Sequence, residues 1–256
     1  MERLRVKEQS AATASHRISI IIPTLQEESC IGRTLGQFTH ELRRKHNLEM
    51  IVSDGGSTDR TVGIARSYSD IVLERDPNAR ENISIGRNHG ARASHGDILV
   101  FINADVIIER PEEFIETIIR TIEQPAVVAA TCNVLIYPEE ENLVDRLFHR
   151  FFNWYFRLLN VFGIGMGRGE CHVMRRDVFR SIGEYNEALA AGEDYELYHR
   201  LRRTGEIAFL RSINVFESPR RYRKFGYFYI TFLWLLNGIW VLLFKRSFVE
   251  EWKPVR

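Results

Sequence analysis

The chain has 256 residues, a formal net charge of +1 and 45% hydrophobic residues. This length suits one large α/β domain with a small appendage, and the composition excludes a disordered chain. A near-neutral charge gives no global reason to expect a nucleic-acid partner. The three cysteines, Cys30, Cys132 and Cys171, are widely spaced and form no CxxC pair, which favours a reducing cytosolic environment.

Residues 1–16 are polar and lack the apolar core of a signal peptide, so we expect a flexible N-terminal tail. From residue 17 onward, short apolar, β-branched runs alternate with stretches of helical spacing. The runs that we predict as strands are 17–24, 48–59 with its glycine-rich turn, 70–75, 97–105, 126–137, a short segment after residue 170, and 206–218. The stretches that we predict as helices are roughly 30–46, 60–69, 83–96, 111–124, 143–162 and 192–205.

Strands that alternate with helices, and that are apolar along nearly their whole length, predict a mostly parallel sheet covered by helices on both faces. Ligands of such sheets bind beyond the carboxyl ends of the strands. Four polar residues fall at those ends: Thr24, Glu27, Asp54 and Asp105. Their convergence on one edge of the sheet is the main functional signal in the chain.

Asp105 follows a buried apolar run, and the amide residue Asn103 stands two positions before it. A carboxylate at the end of a buried strand is costly unless a partner neutralises it. One such partner is a divalent cation on a diphosphate, because Mg²⁺ and Mn²⁺ prefer one or two carboxylates plus substrate phosphates. The alternative, from this stretch alone, is that Asp105 only caps the following turn.

The chain becomes aromatic and basic after residue 140. Residues 143–162 have apolar side chains at helical spacing, and residues 225–244 contain no charged residue over about the length that spans a bilayer. Basic residues flank the second segment, and Tyr and Trp lie near its ends, as in interface anchors. We expect it to contact a membrane, spanning it or lying in the interface. The alternatives are a helix that covers the sheet or a partner surface in a homo-oligomer.

Six motifs occur in a fixed order: IIPTLQEES, IVSDGGSTDRT, IGRNHGARASHGD, NAD, GRGECHVMRR and GEDYELYHRLRRTG. Their order and spacing over residues 17–205 resemble the inverting nucleotide-sugar glycosyltransferases of family 2. Two positions depart from the family pattern. Asn103 stands where a D-x-D motif has its first Asp, and Gln26 stands where Asn is common.

The resemblance implies an α/β, Rossmann-like GT-A fold, a mostly parallel sheet flanked by helices, over residues 17–219. Residues 220–256 would form a basic and apolar, membrane-associated C-terminal segment with an apolar helix. Asp105 is implied to hold Mg²⁺ or Mn²⁺ on the donor diphosphate. The residues implied to bind the nucleotide sugar are Pro23, Thr24, Glu27, Asp54, Arg87, Asn103, Ala104, Arg220 and Arg221.

The resemblance also implies a general base, for which Asp194 is the first candidate and its neighbour Glu193 the rival. Two acids at this position could instead stabilise the start of a helix through its dipole. Arg220 and Arg221 have a second interpretation as well, as a basic flank that contacts anionic lipid. The glycine-rich residues 163–170 do not follow the first strand, so we interpret them as a wall beside sugar and acceptor, not as a nucleotide loop.

The expected partners are a UDP- or GDP-linked sugar, a glycan or lipid-linked acceptor with a hydroxyl group, and the cytoplasmic face of the cell membrane. Two alternatives stay open. A polyprenyl-phosphate hexosyl synthase would have an acceptor that is already an anion and needs no base. A non-catalytic nucleotide-sugar-binding protein would explain why an amide stands at Asn103.

Overall fold

The computed structural model describes residues 17–76, 81–244, 246–248 and 255, so the predicted tail at 1–16 lies outside the described residues. The described strands form one sheet. Their bounds are β1 (Ile18–Thr24), β2 (Leu48–Asp54), β3 (Ile71–Glu74), β4 (Ile98–Ile102), β5 (Ile107–Ile108), β6 (Val127–Ile136), β7 (Cys171–Arg175) and β8 (Glu206–Glu217).

Helices lie between most of these strands and after the last one. Their bounds are α1 (Ile31–Gly36), α2 (His40–Lys45), α3 (Thr61–Arg66), α4 (Ile83–Ala93), α5 (Pro111–Ile122), α6 (Leu143–Val161), α7 (Arg176–Ser181), α8 (Glu193–Arg202), α9 (Arg220–Phe225) and α10 (Tyr227–Phe244). The short elements β5, α7 and α9 were not predicted from the sequence.

The strand order in the sheet is β3-β2-β1-β4-β7-β6-β8-β5. The strands β1 to β4 pair in parallel, as predicted, and β6 pairs in parallel with β8. However, β7 is antiparallel to both of its neighbours. Its first residue, Cys171, pairs with Ile102 at the end of β4. The loop before β7 therefore meets the carboxyl ends of β1, β2 and β4 at one edge of the sheet.

Both faces of the sheet are apolar. The strands are apolar at successive residues, and successive residues of a strand point to opposite sides. Ile20 and Ile22 of β1 belong to a buried cluster with residues of α1, α2 and α5. Ile21, between them, belongs to a second cluster with residues of α4 and α8. The prediction of a sheet flanked by helices on both faces is confirmed.

Two predicted helix boundaries are wrong. The helix expected over 30–46 is broken into α1 and α2, because Thr39 starts a new helix and its hydroxyl accepts a hydrogen bond from the Leu42 amide at 3.3 Å. The helix expected over 83–96 ends at Ala93. Gly96 lies so close to β1 that a Cβ there would be 2.6 Å from the Ser19 nitrogen, so this glycine is needed for close packing.

The helices α6 and α10 pack against each other through aromatic rings. Phe148 and Tyr227 have ring centroids 4.4 Å apart, and Phe152 and Trp234 have centroids 5.7 Å apart. Within the described residues, no helix combines the length and the apolar character that crossing a bilayer requires. The spanning alternative for residues 225–244 is therefore not found in this structure.

Candidate active site

A pocket of about 460 Å³ lies at the carboxyl edge of the sheet. Its walls come from the loops after β1 and β4, the loop before β7, the start of α8 and the junction of β8 with α9, and residues of α4, α6 and α10 also line it. The structure therefore brings most of the predicted site residues together. Those that line the pocket are Pro23, Thr24, Glu27, Arg87, Asn103, Ala104, Asp105, Glu193, Asp194, Arg220 and Arg221.

Asp54 is the predicted site residue that does not line this pocket. Its carboxylate accepts hydrogen bonds from the Gly56 amide at 2.9 Å and from the Ser57 amide at 2.8 Å, and also from the Ser57 hydroxyl. The turn that it stabilises lets the Gly55 amide donate to the Thr24 carbonyl at 2.8 Å. Asp54 thus shapes the turn beside Thr24, and its direct contact with a ligand stays a prediction.

Arg87 is buried at the centre of the site, and its partners come from three other segments. The guanidinium donates to Glu193 Oε1 at 2.7 Å, to the Gly169 carbonyl at 2.8 Å and to Asn103 Oδ1 at 3.2 Å. In these contacts Arg87 neutralises the Glu193 carboxylate and donates to the Asn103 amide oxygen. Its binding of a nucleotide sugar stays a prediction.

Asp194 lies in the first turn of α8, next to the Arg87–Glu193 pair. Its Oδ1 atom accepts a hydrogen bond from the Tyr195 amide at 2.9 Å. Burial, and next the negative charge of Glu193, raise the pKa of Asp194 to about 8. A carboxylate with such a pKa in a pocket is suited to accept a proton near neutral pH.

Asp105 follows β4 and lies beside Arg220 at one wall of the pocket. Arg220 Nη2 lies 3.1 Å from Asp105 Oδ2, and the same guanidinium makes two hydrogen bonds with Glu27, at 2.7 and 2.9 Å. Burial raises the pKa of Asp105 to about 6, although the charge of Arg220 opposes this rise. The Asp105 backbone is held as well, since its carbonyl accepts a hydrogen bond from the Tyr137 hydroxyl.

The pocket contains a charged group that the sequence did not reveal. Arg168, which is buried, contacts Glu217 at 2.8 Å, His149 Nδ1 at 3.2 Å and Glu170 at 3.3 Å. Glu217 accepts a further hydrogen bond from the Tyr222 hydroxyl at 3.0 Å. The sequence did hold one signal for Glu217, because it ends a parallel strand just as Asp54 does.

The donor atoms near Asp105 fit a hard divalent cation. Asp105 and Glu27 are close enough to share one guanidinium, so their oxygens could also share one cation of the Mg²⁺ or Mn²⁺ type. The Asn103 amide oxygen accepts a hydrogen bond from Arg87 at 3.2 Å. A second group of ligand-type side chains, His46, Glu112 and Glu116, lies outside the pocket; there Lys45 pairs with Glu112.

Solved structures place this fold in a known class. The mannosyltransferase PcManGT from Pyrobaculum calidifontis, in complex with GDP-Man and Mn²⁺, superimposes with a TM-score of 0.67. The sequence identity is 18%, and the match covers 89% of this chain and 63% of that chain. At this identity the likeness concerns the fold. The fold, with its pocket at the carboxyl edge of the sheet, is of the GT-A type.

The family model described as Glycosyl transferase family 2 matches residues 19–183, and the chain belongs to this family. It is 34% identical over 95 residues to the validoxylamine A glucosyltransferase of Streptomyces hygroscopicus subsp. limoneus, covering 35% of this chain and 20% of that one. It is 26% identical over 205 residues to the probable glycosyltransferase YdaM of Bacillus subtilis, covering 74% and 47%. The chain thus spans less than half the length of these relatives.

Proposed function

We propose that this family 2 glycosyltransferase transfers a sugar from a UDP- or GDP-linked donor to a hydroxyl acceptor, with inversion at the anomeric carbon. One observation supports this most directly. A single pocket holds Asp105 and Arg220 at one wall and Asp194 at another, so a group that binds a diphosphate and a group that accepts a proton face one cavity.

The donor half of the site is the edge formed by β1, β2 and β4. Thr24 has a buried hydroxyl without a hydrogen-bond partner among the described residues, so it is available to the nucleoside. The diphosphate would lie beside Asp105, with Arg220 and Arg221 supplying positive charge as the leaving group forms. A bound Mg²⁺ or Mn²⁺, held by Asp105 and Glu27, would polarise the leaving diphosphate. The Mn²⁺ in the Pyrobaculum mannosyltransferase structure supports this choice of cation.

The acceptor half of the site contains the proposed general base. The acceptor oxygen attacks the anomeric carbon, its proton passes to the Asp194 carboxylate, and the bond from the anomeric carbon to the diphosphate oxygen breaks. One displacement of this kind inverts the configuration. Asp194 is favoured over Glu193, because Glu193 is already paired with Arg87 at 2.7 Å.

A polyprenyl-phosphate acceptor is the second candidate, and the aromatic wall of the pocket favours it. Phe156, Tyr195 and Trp234 line the pocket, and two of them belong to α6 and α10. These two helices also expose many apolar side chains. An acceptor that is already ionised would need no base, so the importance of Asp194 distinguishes the two candidates.

We also propose that the protein works at the cytoplasmic face of the cell membrane, with α6 and α10 toward the lipid. Phe228 and Leu235 of α10 and Leu147 and Trp154 of α6 are exposed. Exposed apolar side chains that are grouped on neighbouring helices are typical of interaction sites. A location beside lipid would suit a lipid-linked acceptor.

The proposed reaction can be tested by thermal denaturation with nucleotide sugars. A ligand that binds only the folded state raises the melting temperature. We expect UDP- or GDP-linked sugars to raise it in the presence of Mn²⁺, and much less in the presence of a chelator. If no nucleotide sugar changes the melting temperature under either condition, the proposed donor site is wrong.

A further inference from the structure

We propose that Arg220 takes the place of the cation in the donor-free enzyme and moves to the diphosphate when cation and nucleotide bind together. This inference rests on the proposed function, because it needs a cation and a diphosphate at Asp105. Its basis is the position of one guanidinium. Arg220 makes two hydrogen bonds with Glu27, at 2.7 and 2.9 Å, and lies 3.1 Å from Asp105 Oδ2.

These two carboxylates are the ones whose oxygens fit the cation. Their combined charge is −2, and the guanidinium reduces it to −1. A divalent cation that arrives alone would have to displace Arg220 or accept its repulsion. The donor-free site should therefore bind Mn²⁺ weakly, although it contains two suitable carboxylates.

Arg220 can leave without moving the helix that holds it. The Arg220 side chain is 23% exposed. Other residues of α9 hold the helix in place. Tyr222 of α9 donates to Glu217 at 3.0 Å, and Arg223 donates to Asp145 Oδ1 at 2.7 Å. A rotation about the side-chain bonds of Arg220 would thus suffice, with the backbone of α9 fixed.

A diphosphate gives the displaced arginine a new partner. The planar guanidinium matches phosphate oxygens as well as it matches a carboxylate, and it binds both with two parallel hydrogen bonds. The cation would then take Asp105 and Glu27 while Arg220 takes the diphosphate. Cation and nucleotide should therefore bind cooperatively. Arg220 opposes the binding of the cation alone and favours the binding of cation and nucleotide together.

The test measures Mn²⁺ binding by the electron paramagnetic resonance signal of free Mn²⁺, first without nucleotide and then with UDP or GDP. We expect Arg220→Gln to bind Mn²⁺ alone about tenfold more tightly than wild type, or more, since a charged hydrogen-bonded competitor is lost. With the nucleotide that binds, Arg220→Gln should bind Mn²⁺ more weakly than wild type. Arg220→Lys, which keeps the charge, should stay near wild type without nucleotide.

The matched control is Arg66→Gln, which removes a surface arginine paired with Glu74 outside the pocket and should change neither affinity. A change of opposite sign in the two conditions cannot result from general loss of structure, which would weaken both. Unchanged or weaker binding of Mn²⁺ alone by Arg220→Gln overturns the inference and leaves the proposed function intact. Failure of wild type to bind Mn²⁺ with either nucleotide overturns both.

Discussion

Two adjacent carboxylates at the start of α8 have different surroundings. Glu193 is buried and forms an ion pair with Arg87 at 2.7 Å. The Asp194 carboxylate forms no ion pair among the described residues, and it accepts a hydrogen bond from the Tyr195 amide at 2.9 Å. One residue of difference along a helix turns a side chain by about 100°, so the two carboxylates meet different neighbours.

Replacing Asp194 tests its role as the base. With a hydroxyl acceptor, Asp194→Asn should leave donor binding intact and lower kcat by about 10²–10⁴-fold, because the amide cannot accept the proton. Because burial raises the pKa of Asp194 to about 8, the wild-type kcat/KM should increase with pH and level off above that value. Steady-state kinetics from pH 6 to about pH 9.5 would measure both. A variant with near wild-type kcat on a hydroxyl acceptor would remove Asp194 from the mechanism.

Replacing Glu193 should instead affect stability. Glu193→Gln leaves the buried Arg87 guanidinium without its charged partner, which typically costs about 3–5 kcal/mol. We expect a lower free energy of unfolding in urea and a weakened site as a secondary effect. Glu206→Gln is a suitable control, because Glu206 is an exposed residue at the start of β8. Equal stability of Glu193→Gln and wild type would contradict the importance of the pair.

Replacing Asp105 should remove the cation-dependent part of nucleotide binding. We expect Asp105→Ala to lose turnover and to lose the Mn²⁺-dependent increase in melting temperature with UDP or GDP. Glu112→Ala provides the control, since Glu112 belongs to the other group of ligand-type side chains, outside the pocket. If Glu112→Ala loses the Mn²⁺-dependent increase in melting temperature and Asp105→Ala keeps it, the assignment of the cation to Asp105 is wrong.

At the level of elements, the start of α6 fastens the junction of α9 with α10. Asp145 is buried and accepts hydrogen bonds from Arg223, from the Tyr227 hydroxyl and from the Asn142 amide. Burial by itself raises the pKa of Asp145, but these hydrogen bonds outweigh burial and lower the pKa to about 2. The helix α9, whose first residue is Arg220, is thus tied to the start of α6.

This arrangement predicts a specific dependence of stability on acid. A carboxyl whose pKa is lower in the folded state stabilises the protein above its unfolded pKa of about 3.9, and that stabilisation is lost as the pH falls toward 2. Asp145→Asn should lower the unfolding free energy at pH 7 by about 1–3 kcal/mol and flatten its decrease below about pH 4. Glu139→Gln, which removes an exposed ion pair with Arg33, should change little. Urea denaturation at several pH values would measure this. If the unfolding free energies of Asp145→Asn and wild type fall in parallel below about pH 4, the prediction is wrong.

At the level of the whole molecule, α6 and α10 expose many apolar side chains, and they also contribute Phe156 and Trp234 to the pocket. Phe228 is 86% exposed and Leu235 is 60% exposed. Arg146 and Arg150 are exposed on α6, which suits an anionic lipid surface. The same surface could alternatively pair two copies of the chain.

Vesicle binding distinguishes these possibilities. We expect the protein to sediment with vesicles that contain phosphatidylglycerol, less so at high salt because screening weakens the attraction to anionic lipid. Phe228→Ser with Leu235→Ser should reduce this binding, and Tyr68→Ser, at an exposed site after α3, should not. A dimer in size-exclusion chromatography that the double variant disrupts, without vesicle binding, would assign the surface to self-association.

Much of the fold could be predicted from local patterns. The alternation of apolar runs with helical spacing placed most strands and helices, and Asp105 was predicted at the end of a buried strand. Such features depend on near neighbours in the chain, because strand and helix periodicity and the end of an apolar run are local properties. The order of the motifs along residues 17–205 likewise indicates the family, which the match of residues 19–183 confirms.

The partners of the charged residues depend on contacts between distant parts of the chain. Arg87 and Glu193 pair across 106 positions of the chain, and Arg220 and Glu27 pair across 193. No periodicity encodes such pairs, since they depend on β7 running antiparallel to β4 and on α9 returning to the edge of β1. Local sequence patterns predict which chemical groups stand at the ends of the strands. Only the packed fold determined which of them neutralise one another and which remain available to a ligand, because charge neutralisation depends on distance in space.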